Sequence, residues 1–193
     1  MKVAILIGSI RKKRVSDRLA KWVQNEINKT ENNEGAIIDL IDYNLPLFDE
    51  ETPPQGNPKR NVNPEVSKFL EAIGTKDALV VVSPEYNRSY TSALKNALDY
   101  IDFQLEKKPV LLLAHGSTGG AQAVAHLRGV FPGLLAITVP RAIMIPGRVG
   151  EIFNQNGTLN DPTTDESRSL QNSLKVALSD LIWYSNALSK AKK

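Results

Sequence analysis

Five continuous apolar runs, at residues 3–7, 36–41, 78–82, 110–114 and 142–145, set the tightest limit on what this chain can fold into. A strand with one wet face alternates apolar and polar residues. These runs do not alternate, so each is expected to be covered on both faces, the habit of parallel strands beneath helices. Between them apolar residues recur at three- and four-residue spacing. Leu19, Trp22, Val23 and Ile27 follow the first run. Val66, Phe69, Leu70 and Ile73 follow the second, with Asn63 as the cap and Pro64 at the first helical position. Leu94, Ala97, Leu98 and Ile101 follow the third, from about Thr91. Ala121, Val124 and Ala125 mark a shorter fourth helix. Leu170, Leu174, Ala177, Leu178, Leu181 and Leu188 mark a last helix, opened by a Thr163–Glu166 capping box. Strand and helix alternate throughout, which predicts one open α/β sheet and a single domain over residues 1–193.

Composition narrows the function. Apolar residues make up 41% of 193 and charged residues 23%, the profile of a globular protein. No apolar run has the length of a membrane span. The opening "MKVAILIGSIR" reads as a first strand rather than a secretory leader, so a cytoplasmic location is expected. There is no cysteine and there are two histidines, which removes thiolate chemistry and makes a histidine-rich metal centre unexpected. A net charge of +3 is too small to point to nucleic acid.

Three strand-to-helix crossings carry chemistry. In "GSIRKKRVSDRLAKWV", Gly8 and Ser9 begin a turn, and Arg11, Arg14 and Ser16 precede or open a helix. Such a crossing aims backbone N–H groups and the positive end of a helix at one point, and the arginines add forked donors. Neither a Walker sequence nor G-x-G-x-x-G is present, so the loop suits a phosphate monoester better than a pyrophosphate. The plain alternative is a solvated basic turn with Ser16 as a helix cap. In "PEYN", Pro84 fixes the backbone and leaves the N–H groups of Glu85, Tyr86 and Asn87 to point outward at a flat hydrogen-bonding ring, with the Tyr86 ring beside it. The alternative is a turn that only covers the sheet end. In "AHGSTGGAQA", Gly116, Gly119 and Gly120 permit close backbone approach, and Ser117 and Thr118 add hydroxyls; the alternative is a flexible connector. His115 reads as structural.

Joint position separates these alternatives. In a parallel sheet of order 2-1-3-4-5, strands one, three and four end side by side at the switch point where such sheets bind ligands. Phosphate chemistry on one crossing and a polar lining for a flat ring on two others outline FMN. Two long connections, 42–61 and 146–162, leave the same edge, and Leu45, Leu47 and Phe48 are expected to form an apolar lid there.

These segments resemble the NADPH-dependent FMN reductase family. "GSIRKKRVSDRLAKWV" is similar to its phosphate loop, "DLIDYNLPLFDE" to its D-L-x-x-x-x-L-P-L segment, and "PEYNRSYTSALKNALDY" to its most specific stretch. "HGSTGGAQAVAHLR" resembles its glycine turn. The resemblance implies a flavodoxin-like three-layer sandwich with helices on both faces of the five-stranded sheet. It implies FMN with its phosphate at Ser9, Arg11, Arg14 and Ser16. The ring would lie at Pro84, Glu85, Tyr86 and Asn87, flanked by Gly116, Ser117, Gly119 and Gly120. It further implies NADPH (or NADH) as donor, a flavin, quinone or azo compound as small-molecule electron acceptor, ping-pong turnover, and a homodimer or homotetramer. No nucleic-acid or membrane partner is implied, and no catalytic side chain is needed. The chain departs from the family at Ser16, at Ser92 and at His115. An electron carrier and a non-redox phosphate-binding protein are the competing classes; carriers of this fold tend to be acidic, which the +3 charge opposes.

Overall fold

The period-two geometry of a strand divides each apolar run between two cores. In the computed structural model, which describes residues 1–191, Ala4 and Leu6 of the first strand face one core while Val3, Ile5 and Ile7 face the other. Strands β1 (Lys2–Ile7), β2 (Glu34–Asp39), β3 (Ala78–Pro84), β4 (Pro109–Gly116) and β5 (Ile137–Pro146) form one parallel sheet in the order β2-β1-β3-β4-β5. Helices α1 (Ser16–Asn28), α5 (Val149–Ile152) and α6 (Asp165–Ala191) cover one face. Helices α2 (Pro64–Gly74), α3 (Ser92–Asp99) and α4 (Ala121–Val130) cover the other. The fold is the expected flavodoxin-like sandwich with its predicted strand order.

Local signals produce the helix ends. Asn63 accepts the Glu65 N–H at 2.9 Å with Pro64 at the first turn of α2, and Thr91 accepts the Leu94 N–H at 3.0 Å to start α3. The capping residue of α6 is Thr164, which accepts from the Ser167 N–H at 3.1 Å. Thr163 donates instead to Asp161, so the expected Thr163–Glu166 box does not form and a one-sided cap at Thr164 takes its place. Helix α4 buries Ala123, Val124 and Leu127 rather than an Ala121–Val124–Ala125 face.

The fifth strand begins five residues before its apolar run. Register with β4 slips between Val110 and Leu112, where Val139, Pro140 and Arg141 are accommodated. Proline is tolerated there because β5 is an edge strand and the ladder is already broken. Both long connections are tied down. In 42–61, Asn96 donates to Pro46 O and accepts the Phe48 N–H at 2.8 Å, and Arg60 joins Glu50, Asp102 and Tyr100 O. In 146–162, α5 and a turn centred on Asn154 pack under Trp22, whose ring lies 4.8 Å from that of Phe153. Among the described residues, no helix is long and apolar enough to cross a membrane.

Candidate functional site

The carboxyl ends of β1, β3, β4 and β5 deliver their loops to one rim, and a hollow of about 350 Å³ opens between them. Arg11, Arg14 and Ser16 wall it from the first crossing, Pro84, Glu85 and Tyr86 from the third, and Gly116 and Ser117 from the fourth. Val15, His115 and Gly147 complete the wall. Three segments separated by some seventy and thirty residues (roughly, on the spacing of βα units) thus meet at the switch point.

The first crossing leaves donors open. Helix α1 begins with Val15 at its cap position and no side-chain cap, so Ser16 is the first helical residue and not a capping one. No acceptor among the described residues takes the N–H groups of Val15, Ser16 and Asp17, which is the normal state of a helix start awaiting an anion. Arg11 is exposed, with its guanidinium carbon 5.4 Å from the centre of the Tyr86 ring. Arg14 is differently placed. It forms a forked ion pair with Asp39 at the end of β2, one arm at 2.8 Å, and also donates to Ser9 O. Ser9 lies buried below the rim, its Oγ 3.1 Å from the Tyr86 hydroxyl. Arg14 and Ser9 therefore hold the loop's shape, while Arg11 and the helix start face outward.

The third crossing corrects one expectation. The Glu85 N–H donates to His115 O at 2.8 Å, and the Tyr86 N–H donates to Ser89 O at 2.8 Å. Only the Asn87 N–H of the three lacks an acceptor among the described residues. The cause is a tight hairpin: Tyr86 and Ser89 pair across Asn87 and Arg88, both with positive φ, which leaves Asn87 exposed at its tip rather than on the wall of the hollow. Asparagine accepts that backbone more readily than most residues.

Glu85 does more than line the site. Its carboxylate accepts from Thr118 Oγ1 at 2.8 Å and from the N–H groups of Gln122 and Ala123 at the start of α4. Burial pushes the Glu85 carboxyl up, but these hydrogen bonds and the Arg88 charge outweigh it and hold the group below its ordinary range. The cap position of α4 is Gly120, which has no side chain to offer, so the cap comes from the neighbouring crossing. Gly120 itself is required by shape. It has φ of 84°, and a Cβ there would lie 2.6 Å from Ala114 Cβ and 2.7 Å from His115 N. Gly119 and Gly120 thus make the turn without lining the hollow.

His115 and Gly147 were not among the expected binding residues. His115 is buried with Nε2 2.8 Å from Ser16 Oγ. Burial, and then the Arg11 charge, lowers its imidazole to about 4, so it is neutral at pH 7. Gly147 had a signal in the sequence, since it forms a Pro-Gly pair with Pro146 just past the fifth apolar run. Leu45, Leu47 and Phe48 do not cover this hollow. Leu45 and Leu47 line a separate groove with Ile10 and Ile41, and Phe48 packs against Tyr100 at 5.2 Å between ring centres. Among the described residues, no group of acids and histidines could hold a metal ion.

A family model described as NADPH-dependent FMN reductase matches residues 1–149. An NAD(P)H-dependent FMN reductase of Schizosaccharomyces pombe is 34% identical over 161 residues, 77% of this chain and 78% of that one. An FMN-dependent NADPH-azoreductase of Staphylococcus aureus is 34% identical over 149 residues, covering 74% of this chain and 76% of its own length. In structure, the flavoenzyme FerB, an NAD(P)H:(acceptor) oxidoreductase from Paracoccus denitrificans, superposes with a TM-score of 0.73 at 21% identity, over 96% of this chain and 97% of its own. A hollow at the switch point, an arginine-flanked helix start on its wall and a match across more than three-quarters of the chain agree on one assignment. The chain belongs to the NADPH-dependent FMN reductase family, and it is an oxidoreductase whose cofactor is FMN and whose electron donor is NAD(P)H.

Proposed function

We propose that the chain, acting over residues 1–193 as one domain, moves electrons from NADPH or NADH to a small oxidised acceptor such as a free flavin, a quinone or an azo compound. The observation that carries this reading is the meeting of three crossings in one hollow with cationic donors at one part of its wall and main chain at another. The donor chemistry fits the cofactor. A phosphate dianion needs positive, unpartnered donors, which Arg11 and the N–H groups of Val15, Ser16 and Asp17 supply. A flat polar ring needs close main chain, which Pro84, Glu85, Tyr86, Gly116 and Ser117 supply.

FMN, when bound, provides the redox chemistry, taking two electrons from the nicotinamide and handing them to the acceptor in ping-pong order. The chain's own residues bind and orient. Arg11 and Ser16 meet the phosphate, while Ser9 and Arg14 fix the loop that presents them. Glu85 locks the third crossing onto α4, so that the backbone edge beside the ring cannot shift independently of the Gly116–Gly120 turn. The exposed N–H and side chain of Asn87 reach beyond the rim, where they would meet the ring edge or the acceptor. The same reading takes the protein to be a cytoplasmic homodimer or homotetramer. It is supported by the absence of cysteine and by the exposed Ile10, Ile41 and Leu47, which border an apolar groove of about 380 Å³ next to the rim.

An absorption spectrum of the purified protein, before and after adding FMN, tests the cofactor. Bound flavin together with NADPH oxidation in the presence of a small quinone is the expected result. A colourless protein that fails to take up FMN would refute the reading.

A further inference from the structure

The pair formed by Ser16 and His115 joins the start of α1 to the end of β4, ninety-nine residues apart in sequence. Both side chains are buried, and both belong to the wall that carries Arg11. Simple loop bracing would not require a titratable ring at this place; a serine hydroxyl is satisfied by any fixed acceptor or donor. The hydroxyl has one proton. If it donates to Nε2, it has nothing to give an anion; if Nε2 carries the proton and donates to Oγ, the hydroxyl proton is free to turn into the hollow.

We propose that His115 is a positioning residue which, by donating from Nε2 to Ser16 Oγ, aims the Ser16 hydroxyl at the ligand's phosphate and takes up a proton as the phosphate binds. This rests on the FMN reading above. The charged groups on this wall are Arg11 and Arg14 on the first crossing and Glu85 on the third, and Asp17 and Arg148 adjoin the wall residues Ser16 and Gly147 in the chain. Tyr86 is the remaining titratable neighbour. Arg14 is neutralised by Asp39, Glu85 is engaged at α4, and Arg148 is paired with Glu151 and Glu166. Among the described residues, Asp17 Oδ1 is buried without a hydrogen-bond partner, but the charge that shifts the imidazole is that of Arg11, and it opposes protonation. A phosphate dianion beside Arg11 and Ser16 reverses that field and favours the imidazolium.

The consequence is a pH dependence of opposite sign to that of the phosphate. With its second pKa near 6, a phosphate monoester loses half its charge on acidification, which by itself weakens binding. Protons taken up at His115 strengthen binding over the same interval, so wild type should hold FMN nearly evenly from about pH 7 to about pH 5. The test is a fluorescence titration of wild type, His115→Gln and Ser16→Ala with FMN and with riboflavin, at pH 7 and pH 5. Glutamine keeps a donor for Ser16 but cannot titrate. The expected result is that wild type outbinds His115→Gln for FMN by a factor that grows roughly threefold to tenfold between pH 7 and pH 5, while riboflavin shows no such growth. Ser16→Ala should abolish the growth with His115 intact. A wild-type to His115→Gln ratio that is the same at both pH values overturns the inference and leaves the cofactor reading standing. Failure of wild type to bind FMN at either pH overturns both. If His115→Gln does not fold, growth of the ratio of wild type to Ser16→Ala supports the inference, and constancy of that ratio overturns it.

Discussion

Two arginines in unlike settings separate what holds this molecule together from what it does. Arg60, in the connection after β2, has a side chain only 6% exposed and is engaged by three partners within the fold. Nη1 reaches Asp102 at 2.8 Å, Nη2 donates to Tyr100 O at 2.6 Å, and Nε approaches Glu50 at 2.6 Å in an ion pair bent away from an ideal hydrogen bond. Arg11, at the rim, stands exposed with the face of Tyr86 as its neighbour. The first is a strut whose donors are used within the fold. The second keeps its forked donors available for a ligand, at little cost to the fold, because a surface cation–π contact stabilises by only about 0.5–1 kcal/mol. Arg14 shows that sequence proximity does not decide which role an arginine takes. It stands three positions from Arg11 in the same loop and is locked to Asp39.

The largest effect should come from breaking the strut. Arg60→Ala leaves the Glu50 and Asp102 carboxylates largely buried without their partner, which should lower unfolding free energy by about 3–5 kcal/mol in a urea titration. The variant, where still folded, should bind FMN as the parent does; a loss of affinity without a loss of stability would erase the distinction drawn between the two arginines. Next in size is Gly120→Ala. Its Cβ would press on Ala114 and the His115 main chain in a left-handed conformation, which should destabilise by about 2–4 kcal/mol. Because His115 is in the wall, this variant should lose FMN affinity as well as stability, whereas Arg60→Ala loses stability alone.

Arg11→Ala inverts the pattern. Removal of a charged donor from a bound phosphate should weaken FMN binding by about 1–3 kcal/mol, with the urea midpoint almost unmoved. Equal FMN affinity in the variant and the parent, measured by fluorescence titration, would take Arg11 out of the site and make it a second surface charge with no role.

Much of this was legible in the chain because the signals are local. The apolar runs gave the strands and, for β1, β3 and β4, their coverage on two faces, whereas the edge strand β5 alternates and leaves Met144 half exposed. The spacing of Leu19, Trp22, Val23 and Ile27 gave the buried face of α1. Asn63, Pro64 and Thr91 announced helix starts that depend on contacts within three residues. What was not legible is pairing over distance. Nothing near Arg14 says that Asp39, twenty-five residues on, will neutralise it, and nothing near Ser16 names His115. The amides of Glu85 and Tyr86 looked free because their acceptors, His115 O and Ser89 O, exist only once β3 and β4 are paired and the hairpin has closed. Pro140 hid the first half of β5, since a proline argues against a strand unless the strand is known to be an edge. The rim was therefore predictable as a place, and the division of labour among its residues was not.

The smallest effect probes that division at Glu85. Its half-buried carboxylate caps α4 from a neighbouring crossing, so its removal should cost about 1 kcal/mol. The sign with pH is fixed. The folded carboxyl is held below its ordinary value of 4.5, so ionised Glu85 stabilises the fold at and above that pH. The contribution is lost as the pH falls through the lowered folded value. Glu85→Gln should thus be less stable than wild type at pH 7 by that small amount, and the gap should close on acidification below about pH 4. Urea titrations of both proteins at pH 7 and pH 3.5 measure it. A gap that widens at pH 3.5 would mean that the protonated acid, not the carboxylate, is the capping form. The lock between the third and fourth crossings would then rest on Thr118 and the main chain instead of on charge.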